Sequence, residues 1–298
     1  MEKKELSILP FLLLLVQPAF MASNLVVGRG GVEYVPPISL AFCRWFFVVL
    51  LLLPFTYQKI FKNIEALKKE WRQLFFLGFM GCGICGAFPF MAGVTTTVAN
   101  MGIIYTSSPI FIILISAFFF KEHLSLIQFL GLVLCFTGVI SIIAKGDLTL
   151  LISLKFTSGD LWMLGAAVGW ALYSVFLLNW KSKFSLFPRF AMIAFFGALS
   201  LFPFSLIENY FFRPVIFNEA FYFWTIFAAI SPGIIAFSLY AKVQKDLGAS
   251  ITGFTLYLFT VYGAIYGIVL FGEMLKNYHY LGAILVFAGM FFVRKKSI

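Results

Sequence analysis

Ten apolar runs, each about as long as a bilayer crossing, alternate with short polar stretches along this 298-residue chain. They cover approximately residues 8–27, 37–56, 74–93, 99–120, 125–144, 159–178, 187–207, 221–240, 250–271 and 278–293. A helix needs roughly 20 mostly apolar residues to span the hydrocarbon core. The pattern therefore predicts an all-α integral membrane protein with ten transmembrane helices. The first run follows Lys3 and Lys4, as a signal peptide would. It lacks a persuasive small-residue cleavage site and nine more runs follow it, so it reads as a retained span. The only long polar connections, 57–73 and 145–158, are too short for a separate domain.

Composition agrees with the pattern. Hydrophobic residues make up 62% of the chain and charged residues 11%, with mean hydropathy +0.99. A soluble domain averages about 25% charged residues, so lipid must cover most of this surface. The net charge of +10 forms no single patch, which argues against a nucleic-acid partner. With the N-terminus in the cytoplasm, sixteen Lys and Arg fall in inner tails and loops. Only Arg29, Lys145, Lys155, Arg213 and Lys276 fall outside. Positive charge collects on the cytoplasmic side of membrane proteins, which predicts a multi-pass protein of the cell's inner (cytoplasmic) membrane with both termini cytoplasmic. The four cysteines lie inside apolar runs and read as small packing residues. Cys82 and Cys85 have CxxC spacing but lack the aqueous setting of a redox pair.

The chain also repeats itself. At a shift of 151 residues, Phe120, Glu122, Leu124, Leu130, Gly131, Leu134, Phe136 and Gly138 fall on Phe271, Glu273, Leu275, Leu281, Gly282, Leu285, Phe287 and Gly289. Two glycines and one acid among these identities separate a duplication from shared apolar composition, and internal repeats dictate architecture. The halves are 1–145 and 159–298. Each carries five predicted spans, an odd number, so equivalent helices must cross in opposite directions. Inverted repeats are a recurrent construction of secondary transporters, because exchanging the conformations of two similar halves moves an opening from one face to the other.

Several segments carry a family resemblance: FMASN at 20–24, AFCRW at 41–45, TVANMGIIYTSSP at 97–109 and FFKEHL at 119–124, followed by Gly131 and Gly138. LGAS at 247–250, LFGEML at 270–275, Gly282 and Gly289 answer them in the second half. In order and spacing this is similar to the EamA-type carriers of the drug/metabolite transporter superfamily, with one EamA-like module per half. Two departures stand out: Thr260 occupies the place of Pro109, and no arginine in the second half answers Arg44. The resemblance implies alternating access around a central cavity walled largely by spans 1, 3, 4, 6, 8 and 9. It leaves the substrate open, since that superfamily exports amino acids, drugs and many other metabolites.

A polar side chain in a bilayer must face protein or a cavity. On span 1, Gln17, Met21 and Asn24 share one helical face. On span 9, Thr252, Thr255, Phe259, Tyr262 and Tyr266 form a mixed polar and aromatic stripe. The equivalent stripe on span 4, Met101, Ile104, Ser108, Phe111 and Ile115, is more apolar, so the second half is expected to supply more of the recognition. Trp170, Tyr173 and Ser174 cluster on span 6. The candidate substrate-binding residues are Asn24, Trp170, Tyr173, Thr255, Phe259 and Tyr262. Such an aromatic, acid-free cavity should prefer a small neutral or zwitterionic organic metabolite, such as an amino acid, to an inorganic ion. Arg44 lies on the order of 10 Å into span 2; it can snorkel to the surface or face the cavity, and an anchoring role is the expectation. Glu122 and Glu273 are expected to tie down turns and cap spans 5 and 10.

None of the twelve acids falls in the middle of a span, and both histidines, His123 and His279, lie at span ends. Without a buried proton relay, facilitated diffusion, exchange or a coupling that runs through the substrate is favoured. Nor is there a Walker sequence to bind ATP. No cofactor or metal is expected; the partners are a small-molecule substrate and the bilayer. The alternative, a membrane-embedded lipid-modifying transferase, needs an acid, base, nucleophile or metal near the reacting group, and no such cluster is legible. Gly78, Cys82 and Gly86 have the spacing that lets helices approach closely. Pro89 on span 3, and Pro232 with Gly233 on span 8, mark expected bends.

Overall fold

The computed structural model describes residues 9–120, 126–147, 157–240, 242–243 and 255–294, and every regular element among them is helical. The first half holds α1 (Leu9–Gly30), α2 (Pro37–Phe61), α3 (Ile64–Leu77), α4 (Cys85–Gly93), α5 (Val98–Tyr105), α6 (Ser108–Phe120) and α7 (Leu126–Ile143). The second holds α8 (Ser158–Asn179), α9 (Leu186–Ile207), α10 (Glu219–Ala229), α11 (Thr255–Phe271) and α12 (Asn277–Arg294). Wider π-helical turns occupy Gly78–Ile84, Glu208–Phe212 and Ile230–Ile235. Seven continuous helical runs among the described residues are long and apolar enough to cross a membrane. Shorter apolar helices lie within α7 and α11. Large apolar side chains such as Phe55, Phe118, Leu178 and Phe211 stand exposed on the outer surface, as lipid contact allows.

Two departures from the sequence pattern have local causes. The expected connection 57–73 is mostly helix, with only Lys62 and Asn63 between α2 and α3. Ala66, Leu74 and Leu77 bury one side of α3, while Lys68 pairs with Glu65 at 2.9 Å on the exposed side. The expected span 99–120 is interrupted after Tyr105. Thr106 Oγ1 donates to Gly102 O at 2.8 Å and Ser107 Oγ to Ile104 O at 2.6 Å. Such back-bonding bends helices, and Pro109 disfavours helical geometry in the residue before it.

α7 and α12 pack antiparallel along their length. A Cβ added to Gly138 would lie 2.8 Å from Gly282 O, and one added to Gly289 2.5 Å from Gly131 O. Only glycine permits this approach. At its centre Cys135 Sγ lies 3.1 Å from Val286 O. Gly131, Cys135 and Gly138 are 151 positions before Gly282, Val286 and Gly289. Residue i therefore meets the image of j while j meets the image of i, the signature of a local two-fold axis. Other contacts follow the same relation: α2 packs on α9, and α1 against α11 is matched by α8 against α5 and α6. The π segment Gly78–Ile84, shifted by 151, falls on the π segment Ile230–Ile235.

Pro89 lies inside α4, and the irregular segment of that span precedes it. Pro232 and Gly233 do lie within a π segment.

Candidate functional site

α1, α2, α4, α5, α8, α11 and the two equivalent π segments converge on an interior cavity of about 40 Å³. Arg44 dominates its electrostatics. On α2 the buried positions Leu40, Ala41, Arg44, Trp45, Val48 and Leu52 recur at helical spacing, so Arg44 belongs to the packed face. Only 3% of its surface is exposed; it does not snorkel. Nη1 donates to Asn24 Oδ1 at 2.6 Å and Nη2 to Pro232 O at 3.1 Å. The guanidinium also stands 4.3 Å from the centroid of the Trp45 ring. Among the described residues no carboxylate lies within ion-pair distance of it, and Nε has no partner. Trp45 Nε1, beside Gly86 on the same cavity wall, is also without a hydrogen-bond acceptor.

Aromatic rings complete the lining. Tyr105 lies 5.4 Å from Phe259 and 6.3 Å from Trp170, centroid to centroid. Phe237 approaches Trp45 at 6.0 Å and Trp170 at 6.3 Å. The Tyr105 hydroxyl is 3.3 Å from Cys85 Sγ.

Of the six residues expected at the substrate site, Asn24, Trp170 and Phe259 line this cavity. Tyr173 is buried behind Trp170, ring to ring at 5.3 Å, where its ring fills the space over Gly81. Thr255 is buried outside the lining. Tyr262 is half-buried and stacks on Tyr266 at 6.5 Å, while the Tyr266 hydroxyl donates to Ala19 O. That end of the stripe packs α11 on α1. Thr252 lies outside the described residues. Gln17 Nε2 bonds Met21 Sδ and Ala236 O, which places it in helix packing. Sequence reasoning missed Tyr105, Trp45 and Phe237. The one available signal for Trp45 was its place beside Arg44, the charge set deep within a span.

Three acids, Asp160 and Glu208 buried and Glu273 half-buried, sit at helix ends. Glu208 accepts from Ile38 N at 3.1 Å and Ser39 N at 2.7 Å, capping α2. Glu273 accepts from Val98 N at 2.8 Å and Ala99 N at 3.1 Å. It thus caps α5 in the other half, where span 10 had been expected. Asp160, fully buried, accepts from Thr96 Oγ1 and from Asn100 Nδ2. A wider pocket of about 320 Å³ opens beside these groups, walled by Thr97, Lys145, Lys276 and His279 among others. Glu122 lies outside the described residues. No group of three or more potential metal ligands occurs among those described.

Known proteins share this construction. The sequence profile of the EamA-like transporter family matches twice, over residues 8–144 and 157–295. The chain belongs to the EamA-like transporter family. An uncharacterized transporter of Archaeoglobus fulgidus is 26% identical over 294 residues, covering 96% of this chain and 97% of its own. The uncharacterized transporter YyaM of Bacillus subtilis is 26% identical over 291 residues, covering 94% of this chain and 92% of its own. A solved crystal structure shares the fold with a TM-score of 0.58 at 17% identity, with 94% of both chains covered. This EamA-family protein is accordingly a multi-pass membrane protein whose relatives are transporters.

Proposed function

We propose that the chain is a secondary transporter moving a small organic metabolite across the cytoplasmic membrane by alternating access, with the Arg44 cavity as its substrate site. The fold is read as ten membrane helices in two inverted five-helix repeats, both termini in the cytoplasm. The observation that carries this reading is the antiparallel α7–α12 crossing, in which each residue meets the repeat image of its partner. If both helices cross the bilayer, a two-fold between antiparallel helices lies in the membrane plane, which is the inverted-repeat relation of secondary transporters. The matched π segments add to it, since π turns interrupt the helical ladder and cluster at functional sites. They border the cavity at Gly81 and at Pro232.

At about 40 Å³ the cavity has room for only a few water molecules. Substrate entry therefore requires the walls to separate, and the π segments are the bending points. Reconstitution into proteoliposomes tests the reading. Unlabelled metabolite loaded inside should drive counterflow of labelled metabolite from outside, without ATP. Failure of every member of a broad organic panel to show counterflow, with inserted and folded protein, refutes transport.

A further inference from the structure

We infer that the ligand of this cavity is an organic carboxylate with an apolar or aromatic body, bound through its carboxylate by Arg44 and the Trp45 indole and recognised without an ammonium group. This rests on reading the cavity as the substrate site.

The charge balance of the cavity leads to it. Arg44 cannot lose its proton in a protein, and it is buried among helices with no acid beside it in the described structure. Its two present acceptors, Asn24 Oδ1 and Pro232 O, are neutral. A guanidinium so placed is stabilised most by an anion, and carboxylate is the anion whose planar pair of oxygens matches its fork. Nε has no partner, and neither has Trp45 Nε1 on the same wall; both are buried and come within reach of a ligand as the walls separate. Two unpaired buried donors on one wall suit a ligand that brings acceptors to them. Opposite them stand Tyr105, Trp170, Phe237 and Phe259, whose rings suit an apolar or aromatic body. Among the described residues no acidic side chain lines the cavity. The ammonium of an amino acid would find no charged partner there, and it would add a positive charge close to Arg44. An uncharged metabolite would leave Arg44 uncompensated. The single organic anion fits both conditions.

Binding of 3-phenylpropionate, its neutral analogue 3-phenylpropionamide, and phenylalanine to the purified full-length protein is the test, read by calorimetry in lipid nanodiscs. The acid should bind at least tenfold more tightly than either comparison compound. Arg44→Gln should weaken acid binding about 10- to 150-fold, the range for charged hydrogen bonds, and leave the amide unchanged. Trp45→Phe, which removes one donor to the carboxylate and keeps an aromatic ring in the core, should weaken the acid about 10- to 150-fold and the amide by less. It guards against an Arg44 variant that fails to fold. The inference is overturned if the acid does not bind, if the amide or phenylalanine binds as well, or if both variants keep full affinity for the acid. Counterflow separates this inference from the one it rests on. Acid binding without transport refutes the transporter reading alone, and transport of metabolites indifferent to both substitutions refutes the carboxylate site alone.

Discussion

Glu208→Gln tests whether a carboxylate from the second half holds the start of α2. Pro37 opens that helix and has no N–H to satisfy, and Leu40 N donates to Pro36 O at 2.8 Å. Ile38 N and Ser39 N are left, and each donates to one oxygen of Glu208, at 3.1 and 2.7 Å. Glutamine keeps the shape and one acceptor but turns an NH₂ toward the second N–H. The loss is one charge-assisted hydrogen bond, about 1.5–3 kcal/mol, and the favourable interaction of a negative charge with a helix N-terminus, about 0.3–1 kcal/mol. Only 7% of Glu208 is exposed, so solvent does little to soften either. Glu208→Gln should therefore destabilise by about 2–4 kcal/mol, measured by reversible denaturant unfolding in mixed micelles. The control is Glu219→Gln in the first turn of α10, where the side chain is exposed; its change should stay within about 0.5 kcal/mol. A Glu208→Gln loss as small as the control's would show that water caps α2 and that the carboxylate adds nothing.

Gly289→Leu should lose the α7–α12 seam, since its first side-chain atom already meets Gly131 O at 2.5 Å; unfolding should shift by more than 2 kcal/mol in the same assay, about the scale of overpacking. An unchanged midpoint would refute the close approach. Asn24→Ala removes the acceptor of Arg44 Nη1 and should raise the apparent Kd of a transported substrate about 2- to 13-fold. Tyr262→Phe, outside the lining, should leave it unchanged, and equal effects would move the site toward α11. A cysteine replacing Glu65 in a cysteine-free background should resist impermeant reagents applied to intact cells; labelling from outside would invert the orientation.

The repeat was legible because glycine at a helix crossing is a matter of backbone distance, so Gly131 and Gly138 recur as Gly282 and Gly289. Asn24, Trp170 and Phe259 could be placed from helical periodicity, which holds within an unbroken helix. Tyr105 could not. Counting steps of three and four from Met101 through Ile104 to Ser108 passes across the break after α5, and the residue facing the cavity is one position off that stripe. Arg44 was visible as a charge, yet its direction was not, because a membrane helix is apolar on every side and periodicity no longer marks the buried face. The capping roles of Glu208 and Glu273 join residues about 170 positions apart. Nothing local in sequence encodes such a pairing. The π segment at Gly78–Ile84 carries no proline, so Pro89 drew attention to the regular part of the same helix.

A seam that reads the same from either side cannot tell a partner from a copy. Nothing in the α7–α12 crossing would prevent a freed first half from pairing with another first half. The covalent connection between the halves enforces one of each, by keeping the second half at an effective concentration on the order of millimolar or more. That connection also permits asymmetry. At the shift of 151, Arg44 is answered by Phe195, which is exposed on the outer surface. A dimer of identical halves would carry the guanidinium twice or not at all, whereas the fused chain carries it at one of the two equivalent positions.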